Sequence, residues 1–155
     1  MRTVLIITIG RSIMKASARN QFIGTVSDVQ IGTVNAEVYI TLKGEETIVA
    51  SITKESVESL DIKTGIEVLA LVKAPQIIIV TDFGGFKVSA RNQLTGVITL
   101  VKPGAVNTEI DIELKGGQAI AATVTNDSVE TLGLRKGETV TAIFKAGSVI
   151  LAVAS

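Results

Sequence analysis

The 155-residue chain has no cysteine, no histidine and no tryptophan. Without cysteine there is no disulfide framework and no thiol nucleophile. Without either cysteine or histidine there is no zinc site of the usual kind and no imidazole to move protons. Four Phe and one Tyr are too few for a platform on which bases stack. No charge excess exists either: 15 Lys+Arg against 15 Asp+Glu give 15 − 15 = 0. That balance argues against a dedicated nucleic-acid surface and against a polybasic membrane anchor. The apolar run Val4-Leu5-Ile6-Ile7-Thr8-Ile9 falls far short of the roughly 20 residues a bilayer span requires. What remains is an aliphatic chain, 46% hydrophobic, rich in Val and Ile, with 14 Gly and only 2 Pro. This composition predicts a compact β-rich protein with little equipment for ordinary catalysis.

A duplication organises the chain. Lys15-Ala16-Ser17-Ala18-Arg19-Asn20-Gln21 returns as Lys87-Val88-Ser89-Ala90-Arg91-Asn92-Gln93, and the offset of 72 holds without a gap from Lys15 to Phe83. About 29 of these 69 positions are identical, which is a repeat and not a chance motif. Two modules follow, 14–83 and 84–155, meeting at the glycine pair Gly84-Gly85. Residues 1–13 form an extension outside the repeat, expected to be a loose extra strand or no part of the fold, with Met14 as the start. A secretory signal would need Arg2, the short apolar run and Ala16-Ser17-Ala18 as a cleavage site. Arg11 and Lys15 interrupt that pattern, and cleavage there would cut a motif that the second module keeps whole.

Within a module the apolar period is two. Phe22 to Ser27 reads as a strand, followed by a turn near Gly32. Asn35 to Leu42 alternates, with Val38, Ile40 and Leu42 on one face and Glu37, Tyr39 and Thr41 on the other. Lys43-Gly44-Glu45-Glu46 is a hairpin turn, and Thr47 to Ile52 is the returning strand. Thr53 to Leu60 breaks the alternation, with Thr53 placed as the N-cap of a short helix. Glu67 to Lys73 and Ile77 to Val80 complete five strands. The predicted fold is all-β: a tandem pair of OB-like five-stranded Greek-key barrels, each with one short helix. A barrel of about 70 residues is marginal alone, and Ile77 to Val80 is apolar on both faces. Modules are therefore expected to pack on modules, and chains on chains.

Chemistry is best sought where the modules agree in polar residues, because packing does not demand matched polar side chains. The matched set is Ser17/Ser89, Arg19/Arg91, Asn20/Asn92, Thr53/Thr125, Ser56/Ser128 and Lys73/Lys145. Nearly all donate hydrogen bonds, two per module are cationic, and none is a carboxylate. Such a set suits a small multiply charged oxyanion, whose oxygens only accept. Thr53 and Ser56 open the helix, where backbone N–H groups lack partners. Plainer readings stand beside this one. Thr53 caps a helix, Lys73 guards a sheet edge, Asn20 fixes backbone, and the matched Glu37/Glu109 and Glu58/Glu130 are solvated faces.

The Ser-Ala-Arg-Asn-Gln runs, the Ser-Val-Glu-x-Leu stretches at 56–60 and 128–132, and Lys-Ala at 73–74 and 145–146 resemble the molbindin (Mop) family of molybdenum-pterin-binding modules. The resemblance covers both modules. It implies a cytoplasmic, non-enzymatic protein that binds and stores molybdate or tungstate, with no separate cofactor and no nucleic-acid or membrane partner. Carried over, one donor set is Ser17, Ala18, Arg19, Thr53 and Ser56, with Lys73 and Ala74 from a facing module. The other is Ser89, Ala90, Arg91, Thr125 and Ser128, with Lys145 and Ala146. Asn20 and Asn92 join the candidates from the matched set. The resemblance also implies a homotrimer of six barrels. The alternatives are an OB-type nucleic-acid-binding module and the oxyanion-sensing part of a regulator or transporter.

Overall fold

A computed structural model of the chain describes residues 5–9 and 12–154, with side-chain surroundings from residue 15 onward. The N-terminal segment is a hairpin: β1 (Leu5–Ile9) pairs antiparallel with β2 (Ser12–Ala16), Leu5 opposite Ala16. The expected single loose strand is thus two paired strands, and residues 1–4, 10 and 11 lie outside the described part.

The first repeat continues as β3 (Asn20–Ile31), β4 (Asn35–Leu42), β5 (Thr47–Thr53), α1 (Lys54–Ser59), β6 (Glu67–Val72), a 3₁₀ turn over Ala74–Gln76, and β7 (Ile78–Val80). The second gives β8 (Asn92–Pro103), β9 (Asn107–Glu113), β10 (Ala119–Thr125), α2 (Asn126–Leu132), β11 (Thr139–Phe144), a 3₁₀ turn over Ala146–Ser148, and β12 (Ile150–Ala152). Alternation on β4 buries Val38, Ile40 and Leu42 and leaves Glu37, Tyr39 and Thr41 half-buried, as the sequence pattern predicts. The long strands β3 and β8 bend at matched register shifts, between Val26 and Asp28 and between Ile98 and Leu100. A bulge inserts one residue and increases local twist, so one strand can pair with two neighbours on diverging sides. Gly24 lies just before the shift, where β3 pairs with β4 on one side and β6 on the other. A Cβ there would lie 2.5 Å from Ile40 Cγ2 and 2.9 Å from the Thr41 carbonyl oxygen, so only glycine lets the strands approach.

The sheets do not respect the repeat boundary. One runs β12-β6-β3-β4-β5 and the other β10-β9-β8-β11-β7. Strand β7 leaves its own repeat and pairs with β11, Ile79 opposite Ala142. Strand β12 returns to pair with β6, Leu151 opposite Ala70. Each sheet is therefore four strands of one repeat closed by the fifth of the other. The repeats 14–83 and 84–155 describe the duplication in sequence, while residues 78–80 and 150–152 belong in space to the opposite sheet. Of the apolar strand only one face is covered within the chain: Ile77 and Ile79 are buried, whereas Ile78 is 60% exposed. One continuous apolar core runs through both sheets, including Phe22, Val38, Ile40 and Val68 from the first repeat and Ile110, Ile112, Val140 and Phe144 from the second.

Candidate oxyanion site

Ser17-Ala18-Arg19 join β2 to β3 and Asn20-Gln21 begin β3, and the ladder decides what stands beside them. The last β3–β6 pair is Asn20 opposite Val72, so Arg19 and Lys73 are the next residues outward on each strand. In the second repeat Asn92 opposes Phe144, which sets Arg91 beside Lys145 in the same way. Two cations per repeat are thus placed by strand register at one sheet end. Gln21 pins the loop by donating from Nε2 to the Ala18 carbonyl at 3.0 Å, and Gln93 does the same to Ala90 at 3.0 Å.

These residues border an open cleft of about 550 Å³, lined among others by Ser17, Ala18, Arg19, Lys73 and Ala74. Thr123 on β10 and Gly147-Ser148 in the second 3₁₀ turn supply its far wall. Lys73 and Ala74 were expected from a facing module. Within a single chain this cleft brings Arg19 together with Lys73 and Ala74 of its own repeat and with Thr123, Gly147 and Ser148 of the other. A neighbouring hollow of about 390 Å³ holds Thr125 and Ser128 with Pro75, Ile77 and Thr123. Thr53 and Ser56 line neither of these two cavities. Both threonines cap their helices: Thr53 Oγ1 accepts from the Ser56 N–H at 3.0 Å, and Thr125 Oγ1 from the Ser128 N–H at 3.1 Å. Each also shares a 2.8 Å hydroxyl contact with that serine.

Asn20 and Asn92 have a different task from anion binding. Asn20 Nδ2 donates to the Ala121 carbonyl at 2.8 Å, while the Ala121 N–H donates to Asn20 Oδ1 at 2.6 Å. Asn92 grips Val49 by the same two bonds, both at 2.8 Å. Strands β10 and β5 end their sheets, so each buried amide extends the free edge of the other repeat's sheet as a one-residue strand would. Oδ1 and one N–H of Nδ2 are thereby spent on backbone in each asparagine, the backbone-fixing role that the sequence also allowed.

The arginines carry a second correction. Arg19 bonds Glu109 on β9, and Arg91 bonds Glu37 on β4, so the matched glutamates are not merely solvated faces. They hold each motif arginine from the other repeat. Arg91 Nη2 also donates to the Tyr39 hydroxyl at 2.9 Å. Its guanidinium is held further above its already high pKa, first by that bond to Tyr39 and then by the charge of Glu37. Glu37, Tyr39, Gln21 and Thr123 were not picked from the sequence as site residues. The match of Glu37 with Glu109 across the repeat was the available signal.

Two sheets closed by exchanged strands, with a duplicated Arg–Lys end, define a tandem binding module. The chain belongs to the TOBE domain family, whose sequence profile matches residues 16–79 and again 88–151. It is 42% identical over 143 residues to the molybdenum transport protein ModE of Herbaspirillum seropedicae, covering 92% of this chain and 53% of that protein. It is 39% identical over 140 residues to the molybdenum-pterin-binding protein MopA of Rhodobacter capsulatus, covering 90% of this chain and 53% of that one. The chain spans about half the length of these curated relatives. Among solved structures, the cytoplasmic molybdate-binding protein ModG with molybdate bound superposes with a TM-score of 0.89 at 48% identity, covering 91% of this chain and all of that one.

Proposed function

We propose that this protein binds molybdate reversibly in the cytoplasm and so buffers the free anion. The observation that carries the reading is the register-imposed meeting of Ser17–Arg19 with Lys73–Ala74 in one cleft. Residues with hydroxyl, amide, ammonium and guanidinium groups line that cleft, a donor chemistry that suits a tetrahedral dianion. The similar proteins described above are named for molybdenum or molybdate. Binding without catalysis suits a chain that has neither cysteine nor histidine to pair as nucleophile and base.

The cleft is open and much larger than one tetrahedral oxyanion, so a second copy closing it is part of the proposal. Ile78 and Ile150, matched residues on the exchanged strands, are 60% and 63% exposed and offer an apolar face for that contact. We read the assembly as a trimer. Donors would then come from more than one chain, and anion binding would stabilise the oligomer by about 2.7 kcal/mol at a hundredfold excess over Kd. Calorimetric titration with molybdate, tungstate and sulfate side by side tests the function. Molybdate and tungstate should bind, with sulfate competing poorly, and equal affinity for all three would overturn it. Sedimentation of a monomer with full binding would overturn the shared site.

A further inference from the structure

Arg91 reaches across the repeat boundary to β4. Its Nη1 bonds Glu37, its Nη2 donates to the Tyr39 hydroxyl at 2.9 Å, and that hydroxyl donates to Glu37 Oε1 at 3.1 Å. Three bonds close a ring, with the guanidinium carbon 5.9 Å from the Tyr39 ring centroid. Glu37 and Tyr39 stand two residues apart on one face of β4. Tyr39 pairs with Val49 on β5, and Val49 is the residue whose backbone Asn92 grips. Two consecutive residues of the second repeat thus fasten it to one spot on the first, Asn92 through backbone and Arg91 through side chains.

A single carboxylate contact leaves a guanidinium free to swing about it. Bonds from both terminal nitrogens to acceptors on one strand fix its plane. The fork carries five N–H groups; these bonds use two and leave three. The Arg91 side chain is 45% exposed, so an anion can reach it. An arginine that is already ordered loses less conformational freedom when it binds. Of its two anchors the phenol is the neutral one, which orients the guanidinium without presenting a second negative charge to a dianion.

We propose that Tyr39 is a positioning residue for oxyanion binding at the Arg91 site, acting through the guanidinium, so that the first repeat sets the affinity of the second repeat's site. This rests on the oxyanion-binding reading above and adds a residue that the donor set lacks. Ser89, Ala90, Arg91 and Lys145 all belong to the second repeat, yet the plane in which Arg91 meets the anion is fixed from β4. Tyr39 is also the only tyrosine of a chain without tryptophan. Its near-ultraviolet signal therefore reports on this one site, because a dianion on Arg91 changes the field at the phenol.

The test combines that signal with calorimetry on the full-length protein, using sodium molybdate. In the unaltered protein molybdate should shift the near-ultraviolet circular dichroism of Tyr39, saturably, and Arg91→Ala should abolish the shift while heat from the Arg19 site persists. Tyr39→Phe is read in two backgrounds. With Arg19→Ala, which leaves the Arg91 site to be titrated by itself, it should weaken molybdate binding about two- to tenfold, the scale of ordering one long side chain on binding. With Arg91→Ala, which leaves the Arg19 site, affinity should stay within twofold. Far-ultraviolet melts identify variants that fail to fold, and the tyrosine signal of the unaltered protein needs no Tyr39 variant. Unchanged affinity at the Arg91 site in Tyr39→Phe, equal weakening of both sites, or a tyrosine signal that stays still while calorimetry shows binding would each overturn the positioning role and leave the oxyanion reading standing. No molybdate binding at all would overturn both.

Discussion

Asn20→Ala separates the staple role from a ligand role. Asn20 is 1% exposed, and Ala121, the backbone it grips, is 4% exposed. Truncation removes both partners of Ala121 at once and leaves an N–H and a carbonyl buried on a sheet edge. At about 1–3 kcal/mol for each orphaned group, the expected destabilisation is about 2–6 kcal/mol, a large share of the 5–15 kcal/mol that holds a typical domain. Asn20→Asp should recover little. The carboxylate still accepts from the Ala121 N–H, but it has nothing to donate to the carbonyl 2.8 Å away and brings a buried charge. The assay is urea unfolding followed by circular dichroism, at fixed protein concentration because oligomerisation contributes to stability. Molybdate affinity should be measured on the same variant below its unfolding midpoint. The midpoint should fall while affinity per folded chain is retained. A variant that unfolds within about 0.5 kcal/mol of the unaltered protein, yet has lost anion binding, would refute the staple and restore Asn20 as a donor.

Gly24→Ala should cost about 1–3 kcal/mol by overpacking, since its Cβ would press on Ile40 and the Thr41 carbonyl; thermal melting checks it, and an unchanged midpoint would mean the strands are not so close. Thr53→Ala should cost about 0.5–2 kcal/mol through loss of the helix cap, with no change in anion affinity at the Arg19 cleft, which Thr53 does not line; unfolding and calorimetry on one preparation read both. Residues 14–83 expressed alone should form strand-exchanged oligomers and not a monomer, because β7 has no pairing partner in its own sheet; sedimentation of a stable monomer would refute this.

Local order was legible where side-chain alternation is unbroken. Strand β4 falls on Asn35–Leu42 as read, and Thr53 caps α1 as its spacing predicts. Strand β3 was read too short because the register shift after Val26 puts Asp28, Val29 and Gln30 out of phase with the preceding alternation. The exchange was only half legible. The apolar run Ile77–Val80 reads as a strand, but nothing in the sequence names β11 as its partner. At the proposed site, the candidate donors were legible from duplication, because chance does not preserve Ser, Arg and Lys at one offset. Their counter-charges were not. Glu37 looks like any outward residue of an alternating strand until the folded chain sets Arg91 against it.

The exchanged closing strands also set a timetable for synthesis. Sheets of this kind are assembled from a chain that emerges N-terminus first. The first sheet is built from residues 20–72 but receives its last strand only from residues 150–152. While the second repeat is being translated, the outer side of β6 waits unpaired. Strand β7, made early, waits for β11, which is made some 60 residues later. An open apolar edge of this sort recruits other nascent chains, and on a polysome the nearest available strand is that of an identical neighbour. Slower elongation through the second repeat should therefore raise the yield of intermolecularly exchanged aggregates without altering the stability of the finished fold.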